Sequence, residues 1–217
     1  MKTTKIIITA LLSFFINAAS AEEFSLGTGY ASDYFEQGLR KAEESIQATL
    51  GVKGDVAGMG YSIAAFTNQS INSGVDTYIF SGGLSRDFSE GLISTYVGLT
   101  HVEDVSGEAS QELDVRIGAG VALSPTISLL RDLDSALFAY ELSVSHPVDL
   151  KVANLNLSGS AGNVETSKSS DTDYYTAGGE LSRAISKSSS ISASLLRVDS
   201  DSSKEEYVTG LSISTQF

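Results

Sequence analysis

From position 112 to position 123 the sequence alternates strictly between apolar residues and small or polar ones. One parity holds Leu113, Val115, Ile117, Ala119, Val121 and Leu123, and the other holds Glu112, Asp114, Arg116, Gly118, Gly120 and Ala122. Successive side chains of a β-strand point to opposite faces, whereas an α-helix would scatter both classes around its axis. This stretch is therefore predicted to be a strand with one apolar and one hydrophilic face.

The same period of two recurs along most of the chain. Clear alternation is present at 46–53, 138–145, 154–161, 175–182, 191–195 and 207–217, with weaker patterns near 24–34, 60–68, 76–86, 92–102 and 126–132. Together with 112–123 these segments predict twelve strands. The segments 92–102 and 126–132 carry apolar residues on both parities, so ten strands remain the alternative. Bacterial outer-membrane barrels have even strand numbers.

The content of the hydrophilic face separates a membrane barrel from a soluble sheet. A soluble antiparallel sheet buries its apolar face and covers the other face with charged residues. Here the hydrophilic face is mostly Gly, Ser, Thr, Asn and Ala, which suits a crowded, hydrated lumen, and the apolar face is uniformly aliphatic or aromatic. We therefore predict an all-β, transmembrane, antiparallel up-and-down β-barrel. A soluble periplasmic β-sandwich that acts as a binding module is the alternative fold.

Aromatic residues fall near the ends of several predicted strands. In a membrane barrel they are expected to form girdles at the two interfaces. The candidates are Tyr30, Tyr34, Phe35, Tyr61, Phe88, Phe138, Tyr140, Tyr174, Tyr207 and Phe217.

The N-terminal segment 1–21 has the pattern of a secretory signal peptide. Lys2 and Lys5 precede an apolar stretch at 6–16, and Ala19-Ser20-Ala21 forms a small-residue cleavage site. The mature outer-membrane β-barrel is then expected to span 22–217. Its expected location is the outer membrane, in contact with lipid and lipopolysaccharide.

Charge excludes one class of partner. The formal net charge is −13 at pH 7. Such an acidic chain is not expected to bind nucleic acid, because phosphate backbones are bound by basic surfaces. The sequence has no cysteine, so no disulfide framework is expected.

The last predicted strand carries a candidate assembly signal. Tyr207, Leu211, Ile213 and Phe217 share one parity. An aromatic last residue preceded by alternating apolar residues resembles the C-terminal signal of Gram-negative outer-membrane barrels. The resemblance implies recognition by the outer-membrane assembly machinery.

The first predicted hairpin resembles the opening of the TorF family of outer-membrane porins. Ser32-Asp33-Tyr34, Gly38, Ile46-Gln47 and Leu50-Gly51 carry the resemblance. The chain departs from the family pattern at Gln37, where an arginine is typical, and Arg40 follows three residues later. The resemblance implies an outer-membrane barrel of porin type but no particular substrate.

Parity also predicts which charged side chains face the lumen. The predicted lining set is Asp33, Lys53, Glu112, Asp114, Arg116, Glu141 and Glu180. Five of these seven residues are acidic, and lumen charges set ion selectivity in a narrow channel. We therefore expect passive diffusion of small hydrophilic solutes or ions with a mild preference for cations. In the alternative, Arg116 and Lys53 pair with carboxylates and the interior is filled.

Other functions find weaker support in the sequence. Only two histidines occur, and His101 and His146 are expected at opposite ends of the barrel, so no catalytic residues are predicted. The acidic stretches do not match a calcium-loop spacing, so neither a metal site nor a cofactor is expected. A rim-site enzyme and a non-conducting structural or adhesion barrel remain the alternatives.

Overall fold

The computed structural model describes residues 23–36, 39–74, 76–105, 109–135, 137–165, 171–201 and 203–217. The predicted signal peptide, Gln37 and Gly38 lie outside these ranges. Within them the chain forms twelve strands. They are β1 (Glu23–Glu36), β2 (Leu39–Val56), β3 (Met59–Gly74), β4 (Thr77–Phe88), β5 (Ile93–Asp104), β6 (Ala109–Ala119), β7 (Thr126–Asp132), β8 (Phe138–Asp149), β9 (Asn154–Glu165), β10 (Thr172–Ala184), β11 (Ser189–Ser200) and β12 (Ser203–Gln216).

Each strand pairs in antiparallel fashion with its neighbours in the sequence, and β12 pairs with β1 to close the barrel. The closing register runs from Ser25 opposite Gln216 to Ala31 opposite Gly210. The predicted all-β barrel of twelve strands is confirmed, and the two weak segments are β5 and β7. Closure leaves no sheet edge with unpaired backbone groups. It also excludes the sandwich alternative, which needs two separate sheets.

Two rims follow from this topology. The lower rim holds the start of β1, the end of β12 and the β2–β3 connection, and the upper rim holds the β1–β2 connection. In the described part of the chain, no helix has the length and apolar character needed to cross a membrane.

The apolar parity faces outward, as predicted. Large aliphatic side chains on this surface are about half exposed, including Leu26 (52%), Leu50 (54%), Leu99 (57%), Ile117 (54%), Leu142 (52%) and Leu211 (53%). They come from strands all around the barrel. An apolar surface of this kind is stable against hydrocarbon and unfavourable in water.

Two strand ends differ from the sequence pattern. Alternation continues to Leu123, but β6 stops at Ala119, and the amide of Gly120 hydrogen-bonds to the carbonyl of Leu92 (3.0 Å) across the lower rim. The glycine of Lys53-Gly54-Asp55 indicates a turn in the sequence, yet β2 continues to Val56. The turn is made by Ala57 and Gly58, both of which have positive φ, as a tight hairpin requires.

The interior is less uniformly hydrophilic than the sequence predicts. Leu130, Ala139 and Val164 are cross-strand neighbours on β7, β8 and β9, and they lie on the same face as Asp114, which pairs with Leu130. Ala139 and Val164 pack with Tyr174 in a buried cluster, with Leu130 against it. Part of the lumen wall is therefore apolar and closely packed.

Candidate functional site

The interior of the described part of the barrel contains cavities, among them three that lie along the lumen. Cavity 1 has a volume of about 570 Å³ and lies against β1, β2, β3 and β9–β12, with Asp33, Gln47, Phe66, Asn156 and Glu180 among its lining residues. Cavity 2, of about 520 Å³, lies mainly against β6–β11, with Asp114, Arg116, Ser128, Glu141 and Tyr174 in its wall. Cavity 3, of about 280 Å³, adjoins cavity 2 at Glu141, Ser143 and Ser160. All three offer water-sized space inside a closed wall.

Hydroxyl groups form much of this wall. Cavity 3 is lined by Ser124, Thr126, Ser143, Ser145, Ser158, Ser160 and Thr176, together with Glu141, Val144 and Gly159. Neighbouring strands link these groups, as in the Ser160–Thr176 (2.8 Å) and Ser192–Ser212 (2.7 Å) hydroxyl pairs. Serine and threonine leave space and offer both donors and acceptors. This surface can therefore hydrogen-bond to water or to a polar solute.

The predicted lining residues divide into two groups. Five of them line a cavity, namely Asp33, Asp114, Arg116, Glu141 and Glu180. Lys53 and Glu112 lie on the interior parity, opposite Ser62 and Thr100 respectively. These two residues lie outside the three cavities.

Asp114 and Arg116 neutralise each other. The guanidinium Nε of Arg116 donates to Oδ2 of Asp114 at 2.8 Å, and a second donation comes from its terminal nitrogen. Asp114 is only 6% exposed, and the guanidinium carbon of Arg116 lies 5.2 Å from the centre of the Tyr96 ring. The carboxylate of Asp114 is thus compensated, and its influence on a passing ion is weakened.

Arg40 forms a second ionic group near the upper rim. Its guanidinium lies 2.5 Å from Asp33, 3.2 Å from Glu43 and 3.6 Å from Glu206. These contacts join β1, β2 and β12 where the barrel closes. Parity did not identify Arg40 as a lumen residue, although the sequence resemblance had drawn attention to it, because it lies three residues after Gln37. Three carboxylates surround one cation, so the group remains acidic.

Glu141 and Glu180 are cavity carboxylates that make no direct ion-pair contact, although the charge of Glu141 also interacts with that of Arg116 in the wall of cavity 2. Glu141 accepts a 3.0 Å hydrogen bond from the hydroxyl of Tyr174, which is a neutral donor. Among the described residues, neither glutamate has an ion-pair partner. Glu180 lines cavity 1, and Glu141 lines cavities 2 and 3.

Five of the predicted girdle aromatics border a cavity, but Tyr30 and Tyr140 remain 41% and 45% exposed on the outer surface, and the other three lie inside the barrel. Tyr34 and Phe35 both line cavity 1, and Tyr174 lines cavity 2. Strict alternation would send Tyr34 and Phe35 to opposite faces. The register of β1 against β2 shifts between these two residues, and such an irregularity re-aims side chains.

An apolar pair stands where cavities 1 and 2 meet. Phe35 of β1 and Leu196 of β11 line both cavities. The ring of Tyr34 lies 5.8 Å from that of Phe66, another residue of the cavity 1 wall. An apolar, partly aromatic junction therefore lies between the two cavities.

The two histidines are far apart. His101 lies near the upper end of β5, with Nε2 3.7 Å from Glu103, and His146 lies near the lower end of β8, with Nδ1 2.7 Å from the carbonyl oxygen of Ala122. They cannot contribute to one site. Within the described ranges, no cluster of three or more His, Asp or Glu side chains is placed to hold a metal ion.

Comparison with known proteins shows which solved structures share this fold. No protein-family model and no curated protein matches the sequence. Among solved structures, a KdgM porin has a TM-score of 0.61 at 12% identity, covering 89% of this chain and 99% of its own. A KdgM porin solved in complex with disordered oligogalacturonate has a TM-score of 0.59 at 12% identity, with coverage of 90% and 99%.

Two further similarities are of the same kind. The COG4313 outer membrane channel from Pseudomonas putida F1 has a TM-score of 0.61 at 10% identity, with coverage of 92% of this chain and 97% of that one. The translocator domain of the autotransporter NalP from Neisseria meningitidis has a TM-score of 0.54 at 11% identity, with coverage of 100% and 95%. At these identities the common property is the fold. This chain has the closed-barrel architecture that outer-membrane porins, channels and translocators share.

Proposed function

We propose that this protein is an outer-membrane channel for passive diffusion of small hydrophilic solutes or ions, with a mild preference for cations. The observation that carries the proposal is the closed barrel itself, with an apolar outer surface and water-sized cavities walled by hydroxyl, amide and carboxylate groups. A solute inside would exchange hydrogen bonds with water for hydrogen bonds with this wall. Movement would follow the concentration gradient.

The cation preference follows from the balance of charges that face the lumen. Glu141 and Glu180 make no direct ion-pair contact among the described residues. Arg116 offsets Asp114 directly and interacts with Glu141 at longer range. An unpaired carboxylate in a narrow, low-dielectric passage lowers the barrier for cations and raises it for anions. Glu141 and Glu180 are therefore the main selectivity residues in this proposal.

The same balance argues against a strongly anionic solute. Oligogalacturonate, which is present in one of the KdgM complexes, carries a carboxylate on each sugar unit. The three carboxylates around Arg40 and the two free glutamates would repel such a chain. Neutral or cationic solutes fit this lumen better.

The route to the membrane is part of the proposal. We propose that residues 1–21 are removed as a signal peptide and that 22–217 form the membrane domain of a TorF-family protein. Tyr207, Leu211, Ile213 and Phe217 all project from the outer surface and are 46–76% exposed. This arrangement supports their proposed role as the signal read by the assembly machinery. Membrane fractionation and heat-modifiable gel mobility test the location and the barrel state.

Planar-bilayer recording of the refolded protein tests the function. We expect discrete current steps and, under a salt gradient, a reversal potential shifted toward that of the cation. A reversal potential on the anion side would contradict the charge argument. Absence of current at all voltages would contradict the channel.

A non-conducting structural or adhesion barrel is the second candidate. Phe35, Leu196 and the cluster of Ala139, Val164 and Tyr174 occupy part of the interior. Barrels of intermediate size lie between those filled by side chains and those that hold an aqueous channel. If the correctly assembled protein carried no current in planar bilayers, this second candidate would be favoured.

A further inference from the structure

The junction of cavities 1 and 2 combines apolar side chains with carboxylates that make no direct ion-pair contact. Phe35 and Leu196 line both cavities, and Glu180 lies in cavity 1 and Glu141 in cavity 2. A solute that moves from one cavity to the other contacts the apolar pair and passes a carboxylate on each side. The passage therefore offers two different kinds of interaction close together.

Aromatic faces strengthen the attraction of cavity 1 for cations. Tyr34, Phe35 and Phe66 all line it, and the rings of Tyr34 and Phe66 lie 5.8 Å apart. The face of an aromatic ring is electronegative and attracts cations. The lumen already contains one such contact, between the guanidinium of Arg116 and the ring of Tyr96 (5.2 Å).

The combination of apolar side chains and carboxylates at the junction discriminates between classes of solute. A hydrated inorganic ion loses part of its water shell beside Phe35 and Leu196 and gains nothing from their carbon atoms. An organic cation buries its carbon skeleton against them and places its charge near Glu141 or Glu180. Anions are repelled by the glutamates, and neutral apolar molecules gain nothing from these carboxylates.

We propose that the junction of Phe35 and Leu196 with the flanking glutamates Glu141 and Glu180 is a binding site for small organic cations that carry an apolar or aromatic group. This inference rests on the proposed channel function and names the class of solute that the channel favours. Phe35 and Leu196 determine specificity, and the glutamates supply the charge recognition.

The test is block of the potassium current by benzyltrimethylammonium in planar bilayers. We expect concentration-dependent block by this cation, weaker block by tetramethylammonium, which has no ring, and no block by benzoate. Phe35→Ala should weaken the block about five-fold, the size of a modest cation–π contact. Glu180→Gln should weaken it as well. Phe88→Ala is the matched control, since Phe88 is 42% exposed near the lower rim and lines none of the cavities.

Two results would overturn the proposal. Equal block by benzoate would show that charge plays no part. The second result is that Phe35→Ala raises the conductance of every ion equally and leaves the block by benzyltrimethylammonium unchanged. Phe35 and Leu196 would then obstruct ion movement without binding the organic cation. Heat-modifiable mobility verifies folding of each variant, and Phe35→Leu replaces Phe35→Ala if the alanine variant fails to assemble.

A binding measurement separates failure of this site from failure of the channel. Isothermal titration of benzyltrimethylammonium into the refolded protein in detergent requires no conduction. Binding that is weakened by Phe35→Ala, in a protein that passes no current, would support the site and contradict only the channel. A cation-selective current without binding or block would contradict the site alone.

Discussion

The hydroxyl of Tyr174 on β10 donates a 3.0 Å hydrogen bond to Oε2 of Glu141 on β8, although β9 lies between these two strands. The contact is possible because Gly162 is the residue of β9 that faces both. A Cβ atom at Gly162 would lie 2.5 Å from the Tyr174 ring. The absence of a side chain at one position therefore lets a buried tyrosine lie flat across the wall and hold a lumen carboxylate.

Gly162→Ala is expected to destabilise the barrel by about 1–3 kcal/mol, because the added methyl group displaces Tyr174 and breaks its hydrogen bond. Urea unfolding of the refolded protein in lipid or detergent measures the loss. Gly27→Ala is the matched control, since the nearest atom to a Cβ atom there is 3.8 Å away. Equal losses for the two variants would show that the Tyr174 contact is unimportant.

The double variant Glu141→Gln/Glu180→Gln is expected to reduce the cation preference, because it removes the two free carboxylates of the cavities. The reversal potential under a salt gradient should move toward zero. The control is Asp114→Asn/Arg116→Gln, which removes an internally neutral pair and should leave the potential nearly unchanged. A larger effect from the control would assign the selectivity to Asp114 and Arg116 and contradict the role of the two glutamates.

Arg116→Gln should destabilise the protein by about 1–3 kcal/mol, because it leaves the buried Asp114 carboxylate without its charged donors. Adding Asp114→Asn should recover most of the loss. Arg197→Gln is the comparison at the upper rim, where Arg197 pairs with Glu205 at 3.1 Å and both side chains are nearly half exposed. Exposed pairs contribute roughly 0–1 kcal/mol, so this variant should unfold almost like wild type. Similar losses for Arg116→Gln and Arg197→Gln would contradict the assignment.

Phe217→Ala is expected to lower the fraction of the protein that assembles in the outer membrane. Phe217 is 76% exposed on the outer surface, and its amide bonds to the carbonyl of Phe24 (2.9 Å) where the barrel closes. The measurement is the heat-modifiable fraction in membrane extracts. Gln216→Ala, on the interior parity, should assemble normally. An unchanged fraction for Phe217→Ala would remove this residue from the assembly signal.

Alternation was a sound guide to which face most side chains occupy. It placed Asp33, Asp114, Arg116, Glu141 and Glu180 on the interior parity, and all five line a cavity. It failed at Tyr34, which has the outward parity but lines cavity 1 beside the point where the register shifts. A bulge is a property of two paired strands, so one strand's sequence does not reveal it.

Alternation also predicted the end of β6 too late in the sequence. The pattern continues through Val121 and Leu123, but hydrogen bonds from Ala119 to Pro125 and from Gly120 to Leu92 end the strand earlier. Side-chain periodicity reports polarity and carries no information about which backbone groups find partners. That information depends on how neighbouring turns meet at the rim.

The sequence by itself determined the class of fold and the outward direction of the apolar rows, because a period of two leaves one face for hydrocarbon and one for water. It left ten strands as the alternative to twelve, and the pairing of β5 and β7 decided between them. The tertiary structure alone decided which lumen charges are neutralised and which remain free. Charge compensation depends on distances between side chains of paired strands and of strands beyond them. Arg40 of β2 meets Glu206 of β12, and Tyr174 reaches Glu141, only once the sheet has closed and curved.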